Sequence, residues 1–173
     1  MKRPMALFNF QLLFVVLVAE ICYTANAFSV EELCKGHNDI RLAHDTECQL
    51  YYDCSSSEAP SFAKGEKYLR ECKYPQLFST RTLRCEDFQN VRCDRRKELK
   101  QACDYRANQC NGPNCISCKV MFPSCEGYDD GEHPHSTKEG SPWKMECYKE
   151  RLMKTFIPDT FQRRPYRKII KEV

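Results

Sequence analysis

The 173-residue sequence has 6 glycines, one tryptophan and a formal net charge of only +3. It contains no glycine-rich phosphate loop and no Walker or dinucleotide-binding pattern, so nothing in it predicts a nucleotide-dependent enzyme. The small net charge gives no reason to expect a partner that is a nucleic acid. The longest unbroken apolar run, Leu12–Ala19, is 8 residues, whereas a membrane-spanning helix needs about 20. No Asn-x-Ser/Thr sequence is present, so we expect no N-linked glycan.

The N-terminal residues have the three parts of a secretory signal peptide. Lys2 and Arg3 form a short basic region, an apolar stretch follows from Met5 to Ala19, and Ala25-Asn26-Ala27 is a small-x-small cleavage site. A membrane anchor is the alternative, but the apolar run is short and an acidic residue follows it at once. We therefore expect residues 1–27 to be removed and the protein to be secreted without a membrane attachment.

Cysteine is the abundant residue type, with 13 copies in the chain. Removal of the signal segment would take Cys22 with it and leave twelve, an even number that allows complete pairing. At this density we expect a disulfide scaffold and not a large apolar core or a reduced cytosolic enzyme. A charged stretch, residues 94–101, is interpreted as a linker or a short exposed helix. It separates two sets of six: Cys34, Cys48, Cys54, Cys72, Cys85 and Cys93, and then Cys103, Cys110, Cys115, Cys118, Cys125 and Cys147.

The first set follows the spacing C-x13-C-x5-C-x17-C-x12-C-x7-C. An aromatic pair, Tyr51-Tyr52, comes just before the third cysteine, Leu77-Phe78 lies between the fourth and fifth, and Val91-Arg92-Cys93 ends the pattern. Together these features resemble the peritrophin-A type chitin-binding domain, also called the type 2 chitin-binding domain, from Cys34 to Cys93. Three positions depart from the family: Gln76, Ser79 and Phe88 stand where glycine, asparagine and tryptophan are usual.

The resemblance implies a small, disulfide-rich, mainly β fold, with a three-stranded antiparallel sheet followed by a two-stranded hairpin. The residues themselves favour strands at 49–53 and 67–72 and a hairpin at 77–85. Sequence alone leaves 15 possible pairings of the six cysteines. The family pattern implies three of these bridges: Cys34–Cys54, Cys48–Cys93 and Cys72–Cys85.

The same resemblance implies that the ligand is chitin, a neutral polymer of N-acetylglucosamine. Aromatic rings suit such a polymer because their flat faces match the C–H faces of pyranose rings. The adjacent Tyr51 and Tyr52 would point to opposite faces of a strand, and the sequence does not tell which one faces a ligand. Packing in the core is the alternative for each aromatic residue. The candidate chitin-binding residues are Tyr52, Tyr74, Phe78, Phe88 and Trp143.

The second module, residues 98–147, has a different cysteine spacing and is similar to a degenerate copy of the first. Cys115-x2-Cys118 could indicate a zinc or redox site, but secretion favours disulfide bonds. Trp143 and Tyr128 would be its sugar-stacking rings, with core packing as the alternative for Trp143. Six polar residues lie close together in the sequence: Glu126, Asp129, Asp130, Glu132, His133 and His135. We interpret them as part of a solvated loop, although their carboxylates could hold a cation. We expect no metal and no cofactor.

The C-terminal stretch, residues 148–173, contains eight basic and three acidic residues, a net charge of +5. Such a tail could attach to acidic matrix components, or it could simply be solubilising. The domain organisation expected is a signal peptide at 1–27, a chitin-binding domain at 28–97, the second module at 98–147 and this tail.

These features predict a secreted, non-catalytic, chitin-binding structural protein of an extracellular matrix, such as a cuticle, peritrophic or shell matrix associated with biomineralization. A chitinase is the second hypothesis, but about 80 cysteine-dense residues after Cys93 are too few for a catalytic domain with paired carboxylates. The third hypothesis is a disulfide-rich inhibitor or signalling ligand that keeps the fold without binding chitin.

Overall fold

The structure is a computed structural model that describes residues 29–56, 58–110 and 112–162. The described residues up to Gly36 belong to one compact unit and those from His37 onwards to a second. The first unit contains helix α1 (Val30–Cys34), whose N-terminus is capped by Ser29: its hydroxyl accepts the backbone N–H of Glu32 at 3.2 Å. The second unit contains all the strands described below.

The first sheet is antiparallel and has the strand order β1-β2-β3, formed by β1 (Arg41–Ala43), β2 (Leu50–Asp53) and β3 (Leu69–Glu71). Leu50 and Leu69 point to one face, where they pack against Ala63 of a short 3-10 helix, Ser61–Ala63. All three side chains are at most 1% exposed. One face of this small sheet therefore has its own apolar cluster.

A two-stranded hairpin follows, formed by β4 (Leu77–Ser79) and β5 (Arg84–Glu86). The backbone N–H of Phe78 donates to the carbonyl of Cys48 at 2.9 Å and so joins the hairpin to the first sheet. A 3-10 helix, Phe88–Asn90, comes next. The predicted fold class, a three-stranded antiparallel sheet with a two-stranded hairpin, is confirmed.

The disulfide bonds agree with the predicted framework of the first module. Cys48–Cys93 and Cys72–Cys85 are both formed. Cys34 and Cys54 are disulfide-bonded too, and their pairing with each other stays a prediction. The second set, whose connectivity the sequence left open, forms Cys103–Cys118, Cys110–Cys115 and Cys125–Cys147.

The charged stretch at 94–101 forms no helix, and it is attached to the first module although five of its eight residues are exposed. The carbonyl of Lys97 accepts the backbone N–H of Cys48 at 2.9 Å, and Lys97 forms a parallel bridge with Glu47. Leu99 is 6% exposed, and Tyr105, which follows the 3-10 helix Ala102–Asp104, is 1% exposed. These contacts pack the segment on the first module, because the side chains of Leu99 and Tyr105 are buried.

The second sheet has the order β6-β7-β8, formed by β6 (Gly131–Pro134), β7 (Lys144–Tyr148) and β8 (Arg151–Phe156). The C-terminal tail was expected to begin at residue 148, so this part of the expectation is wrong: β8 pairs with β7 along its length. Alternating burial along β7 puts Met145 and Cys147 in a core with Cys125 and Leu152.

Three further short helices complete the described chain: the 3-10 helix Arg106–Asn108, α2 (Cys118–Met121) and α3 (Asp159–Gln162). Within the ranges given above, no helix has the length and apolar character needed to cross a bilayer. The residues of the expected signal peptide, and those of the tail beyond residue 162, lie outside the described part of the chain.

Candidate functional site

The aromatic pair of β2 is divided between the two faces of the first sheet. Tyr51 stacks on Phe78, with ring centroids 4.6 Å apart and the planes 5° from parallel. Tyr52 packs on the opposite cluster beside Phe62, and its ring lies 5.6 Å from that of His44. Tyr52 is half-buried, so part of it stays accessible, whereas one face of Tyr51 is already covered by Phe78.

The two phenylalanines predicted to contact sugar are core residues. Phe78 is 0% exposed and Phe88 is 5% exposed. The guanidinium carbon of Arg151 lies 4.2 Å from the centre of the Phe88 ring, and Tyr148 approaches the same ring at 6.1 Å. The expected ligand face of Phe88 is thus occupied by residues of the second sheet, which no pattern within the first module could reveal.

Tyr74 lies at the same junction. Its hydroxyl donates to the carbonyl of Lys100 at 3.1 Å and accepts the backbone N–H of Leu152 at 2.7 Å. Its ring meets Tyr105 edge-on at 5.2 Å, and burial raises the pKa of Tyr74 to about 12. The hydroxyl is therefore a neutral link between the first module and β8, although the ring keeps partial exposure.

Trp143, the fifth predicted site residue, is half-buried just before β7. The ammonium of Lys138 lies 4.1 Å from its ring centre, a cation–π contact that covers one ring face. The ring of His135 approaches it edge-on at 6.4 Å. Tyr128, the other aromatic candidate of this module, is 37% exposed and lies beside His133. The structure leaves these two aromatic residues partly accessible.

A cleft of about 760 Å³ opens where the first module meets the residues that follow it. One wall contains Ser61, Phe62, Ala63, Lys64 and Glu66, and the other contains Asp104, Arg106, Ala107, Gln109, Cys110 and Gly112. Sequence reasoning missed this site. Its residues are far apart in the chain, and each by itself is typical of an exposed loop.

Carboxylates of the first module hold the second wall in place. Glu71 of β3 accepts the backbone N–H groups of Arg106 and Ala107, at 2.9 and 2.6 Å. Glu47 pairs with the guanidinium of Arg106 at 2.5 Å and accepts the amide of Gln49 at 2.8 Å. The second wall therefore depends on two half-buried acids, since a carboxylate can accept several hydrogen bonds at once.

Burial and hydrogen bonding shift the pKa values of Glu71 and Glu47 in opposite directions overall. Burial raises the pKa of Glu71, and the two backbone N–H donors only partly oppose it. Burial also tends to raise the pKa of Glu47, but hydrogen bonds from Gln49 and Arg106 outweigh it and hold the pKa below its usual range. Asp53 behaves like Glu47, because hydrogen bonds from Ser55 and the charge of Arg41 outweigh its burial.

The acidic and histidine-containing segment, residues 126–135, is only in part the solvated loop that was expected, because Glu132 and His133 lie in β6 and His135 is 2% exposed. Asp130 accepts the backbone N–H of Lys149 at 2.5 Å, and His133 lies 2.8 Å from the carbonyl oxygen of Asp129. In the part of the chain that the structure describes, no group of three or more His, Cys, Asp or Glu side chains is placed to hold a metal ion.

The first sheet and its hairpin define a small disulfide-stabilised β domain with aromatic residues on both sheet faces. Residues 34–93 match the model of the family described as the chitin binding Peritrophin-A domain. This match covers about a third of the chain and supports a chitin-binding role for that segment. No curated protein and no solved structure matches the chain.

Proposed function

We propose that the protein is a secreted, non-catalytic, chitin-binding structural protein of an extracellular matrix, of the cuticle, peritrophic or shell type. The observation that carries this proposal is the family match at residues 34–93, together with the confirmed fold of that segment. The expected signal peptide supports secretion, and the dense disulfide framework is typical of an extracellular chain. Chitin is the proposed partner, and acidic matrix components are proposed partners of the basic C-terminal residues.

Aromatic stacking is the proposed mode of binding. Among the predicted ring contacts, Tyr52, Tyr74 and Trp143 are half-buried and keep accessible surface. Phe78 and Phe88 are buried and would contribute to binding only indirectly. Phe78 would do so by supporting the ring of Tyr51, on which it stacks. A tyrosine suits this work because its ring stacks on a pyranose face while its hydroxyl bonds to water or to a sugar group.

A second candidate, a disulfide-rich inhibitor or signalling ligand, is favoured by one observation. Ile116, Val120 and Met121 are 61%, 43% and 43% exposed, on a segment constrained by the Cys103–Cys118 and Cys110–Cys115 bridges. Neighbouring exposed apolar side chains, here on α2 and the residues just before it, are typical of surfaces that bind other proteins. This candidate and the first differ in whether the oxidised protein binds a polysaccharide.

The test is retention of the oxidised chain, residues 28–173, on chitin beads, with cellulose beads as the control polymer. High salt removes the contribution of the basic residues, because it screens exposed charges, but it leaves stacking in place. Salt-resistant retention on chitin alone supports the proposal, and absence of retention by correctly folded protein overturns it. A chromogenic chitooligosaccharide tests the non-catalytic part, since release of the chromophore would show hydrolysis.

Tyr52 provides the sharper variant test. Tyr52→Ala removes the ring and should lower retention about tenfold, corresponding to about 1.4 kcal/mol of binding free energy. Tyr52→Phe keeps the ring and removes only the hydroxyl, so it should keep most of the affinity. Equal loss in both variants would indicate that the hydroxyl, and not stacking, carries the contact.

A further inference from the structure

We propose that the cleft between Ser61–Glu66 and the residues from Asp104 to Gln109 is a saccharide subsite for an uncharged acetamido-sugar chain. The inference rests on the proposed function and extends it, because half of the cleft belongs to residues outside the family match at 34–93. The second module would then take part in binding through this wall, independently of any site of its own.

The size and lining of the cleft suit a short piece of polysaccharide. Its volume of about 760 Å³ lies within the roughly 300–1,000 Å³ of sites that hold small ligands. Phe62 supplies an aromatic ring that is only partly buried, the element needed against a pyranose face. Gln109 is exposed at the opposite wall, where its amide nitrogen donates to the carbonyl of Cys103 at 3.2 Å and keeps a second N–H and the amide oxygen for a ligand. An acetamido group needs this pair of functions.

The charges of the lining point to a neutral ligand. Lys64 and Arg106 are balanced by Glu66 and Asp104, so the four charged side chains sum to zero. A nucleotide, a sulfated glycan or an acidic peptide would meet two carboxylates here, and a polycation would meet two basic groups. A neutral sugar is repelled by neither kind of charge. Its hydroxyl groups can accept hydrogen bonds from the two basic side chains and donate them to the two carboxylates.

The second wall of the cleft is held in place by contacts within the protein. Glu71 fixes the Arg106 and Ala107 backbone by two hydrogen bonds, and the hydroxyl of Tyr105 donates to the carbonyl of Gln76 at 3.0 Å. The Cys103–Cys118 bridge restrains the same segment. A preorganised site loses less conformational entropy on binding, so even a shallow cleft can contribute useful affinity.

The cleft is also continuous with the aromatic residue proposed for the first module. Phe62 of the cleft and Tyr52 pack against the same apolar cluster. The charges of Glu66 and Arg106, both in the cleft lining, act on the Tyr52 hydroxyl, whose pKa is raised mainly by burial. A polymer in contact with Tyr52 can therefore extend into the cleft, which would lengthen the bound segment.

The experiment measures binding of N-acetylchitohexaose to the full oxidised chain by calorimetry and by amide chemical shifts. Gln109→Trp places a bulky ring in the cleft from an exposed position and should weaken binding at least tenfold. Thr160→Trp is the matched control, because Thr160 is exposed in α3 and does not line the cleft. Asp104→Arg is a second variant at an exposed position, in which a longer side chain on the same wall narrows the cleft but leaves Phe62 untouched.

Weaker binding by both cleft variants, unchanged binding by Thr160→Trp and ligand-induced shifts at Arg106 and Gln109 would support the subsite. Wild-type binding that neither variant changes, without shifts at these amides, would overturn the subsite and leave the proposed function standing. A folded wild-type chain that binds neither hexasaccharide nor chitin beads would overturn both. An unfolding midpoint and an amide spectrum for each variant show that it is folded.

Discussion

The guanidinium carbon of Arg151 lies 4.2 Å from the centre of the Phe88 ring, and Nη2 of the same side chain donates to Glu98. Arg151 belongs to β8, whereas Phe88 belongs to the segment that matches the chitin-binding family. The arginine side chain is 2% exposed. This buried cation therefore joins the second sheet to the first module, and the aromatic ring it covers is withheld from any ligand.

Truncation of this contact should destabilise the protein more than truncation of a surface ion pair. Arg151→Ala removes the cation over Phe88, leaves a cavity and frees the Glu98 carboxylate, so we expect a loss of about 2–3 kcal/mol in the free energy of unfolding. Chemical denaturation followed by fluorescence and circular dichroism measures it. Phe88 should become more accessible to solvent in the same variant.

The control is Lys154→Ala, which breaks the Lys154–Glu146 pair at 2.8 Å on the outer surface of the second sheet. Exposed ion pairs contribute little, because water and salt screen them, so no measurable change in stability is expected. If both variants behave alike, Arg151 is not the connection between the two modules that its burial indicates.

The first module could be predicted from sequence because its information is local. The family resemblance carried by the cysteine spacing and the aromatic pair before Cys54 implied the sheet, the hairpin and the two bridges Cys48–Cys93 and Cys72–Cys85, all of which are present. The structure adds which face each tyrosine takes: Tyr51 stacks on Phe78, and Tyr52 joins the Leu50 cluster. Alternation along a strand predicted the division but not its direction.

The rest could not be predicted, because it depends on contacts between distant segments. The sequence predicts Phe88 to contact sugar, and only the position of Arg151 shows that one face of its ring is covered. Arg151 in turn is one basic residue among many in a stretch that composition predicts to be a tail. Glu71 and Arg106 are 35 residues apart and look like ordinary surface charges until the fold brings them together.

Loop length predicts which disulfide matters most for stability. Cys48–Cys93 closes a separation of 45 residues and its Cys48 is 0% exposed, whereas Cys110–Cys115 closes only 5. In the chain-entropy description a bridge restrains the unfolded state more as its loop lengthens, giving about 4 kcal/mol for the first and about 2 kcal/mol for the second. Paired Cys→Ala variants compared by thermal unfolding should reproduce this order.

The order would be reversed if the short bridge carried native contacts that the long one lacks. Each double variant leaves the other bridges oxidised, and mass spectrometry of the alkylated protein confirms this. A Cys110→Ala/Cys115→Ala protein that unfolds earlier than Cys48→Ala/Cys93→Ala would contradict the entropic argument for this chain.

Glu71 is expected to act as a positioning residue for the second wall of the cleft. Glu71→Ala leaves the backbone N–H groups of Arg106 and Ala107 without acceptors, which should cost about 1–3 kcal/mol. The specific readout is hydrogen exchange: these two amides should lose protection while those of β7 keep theirs. Glu71→Gln retains one carbonyl acceptor and should restore part of the protection, so equal exchange in both variants would refute the role.

The second sheet should lose stability in mildly acidic solution because of His135. Its ring is 2% exposed, its Nε2 has no hydrogen-bond partner among the described residues, and burial together with the charge of Lys138 lowers its pKa below the usual value of 6.5. The unfolded chain therefore binds a proton more readily than the folded one. Stability from this residue is present above pH 6.5 and is lost as the pH falls from there, by about 1.4 kcal/mol for each unit that separates the two pKa values.

Unfolding midpoints measured between pH 7.5 and 5 test this, since most carboxylates titrate below that window. His135→Gln cannot become charged, so its midpoint should change less with pH, although the variant is less stable at pH 7.5. His37→Gln is the control, because His37 is exposed and its removal should leave the wild-type slope unchanged. A slope that persists in His135→Gln but disappears in His37→Gln would assign the acid sensitivity to the surface, because a buried neutral imidazole would then play no part in it.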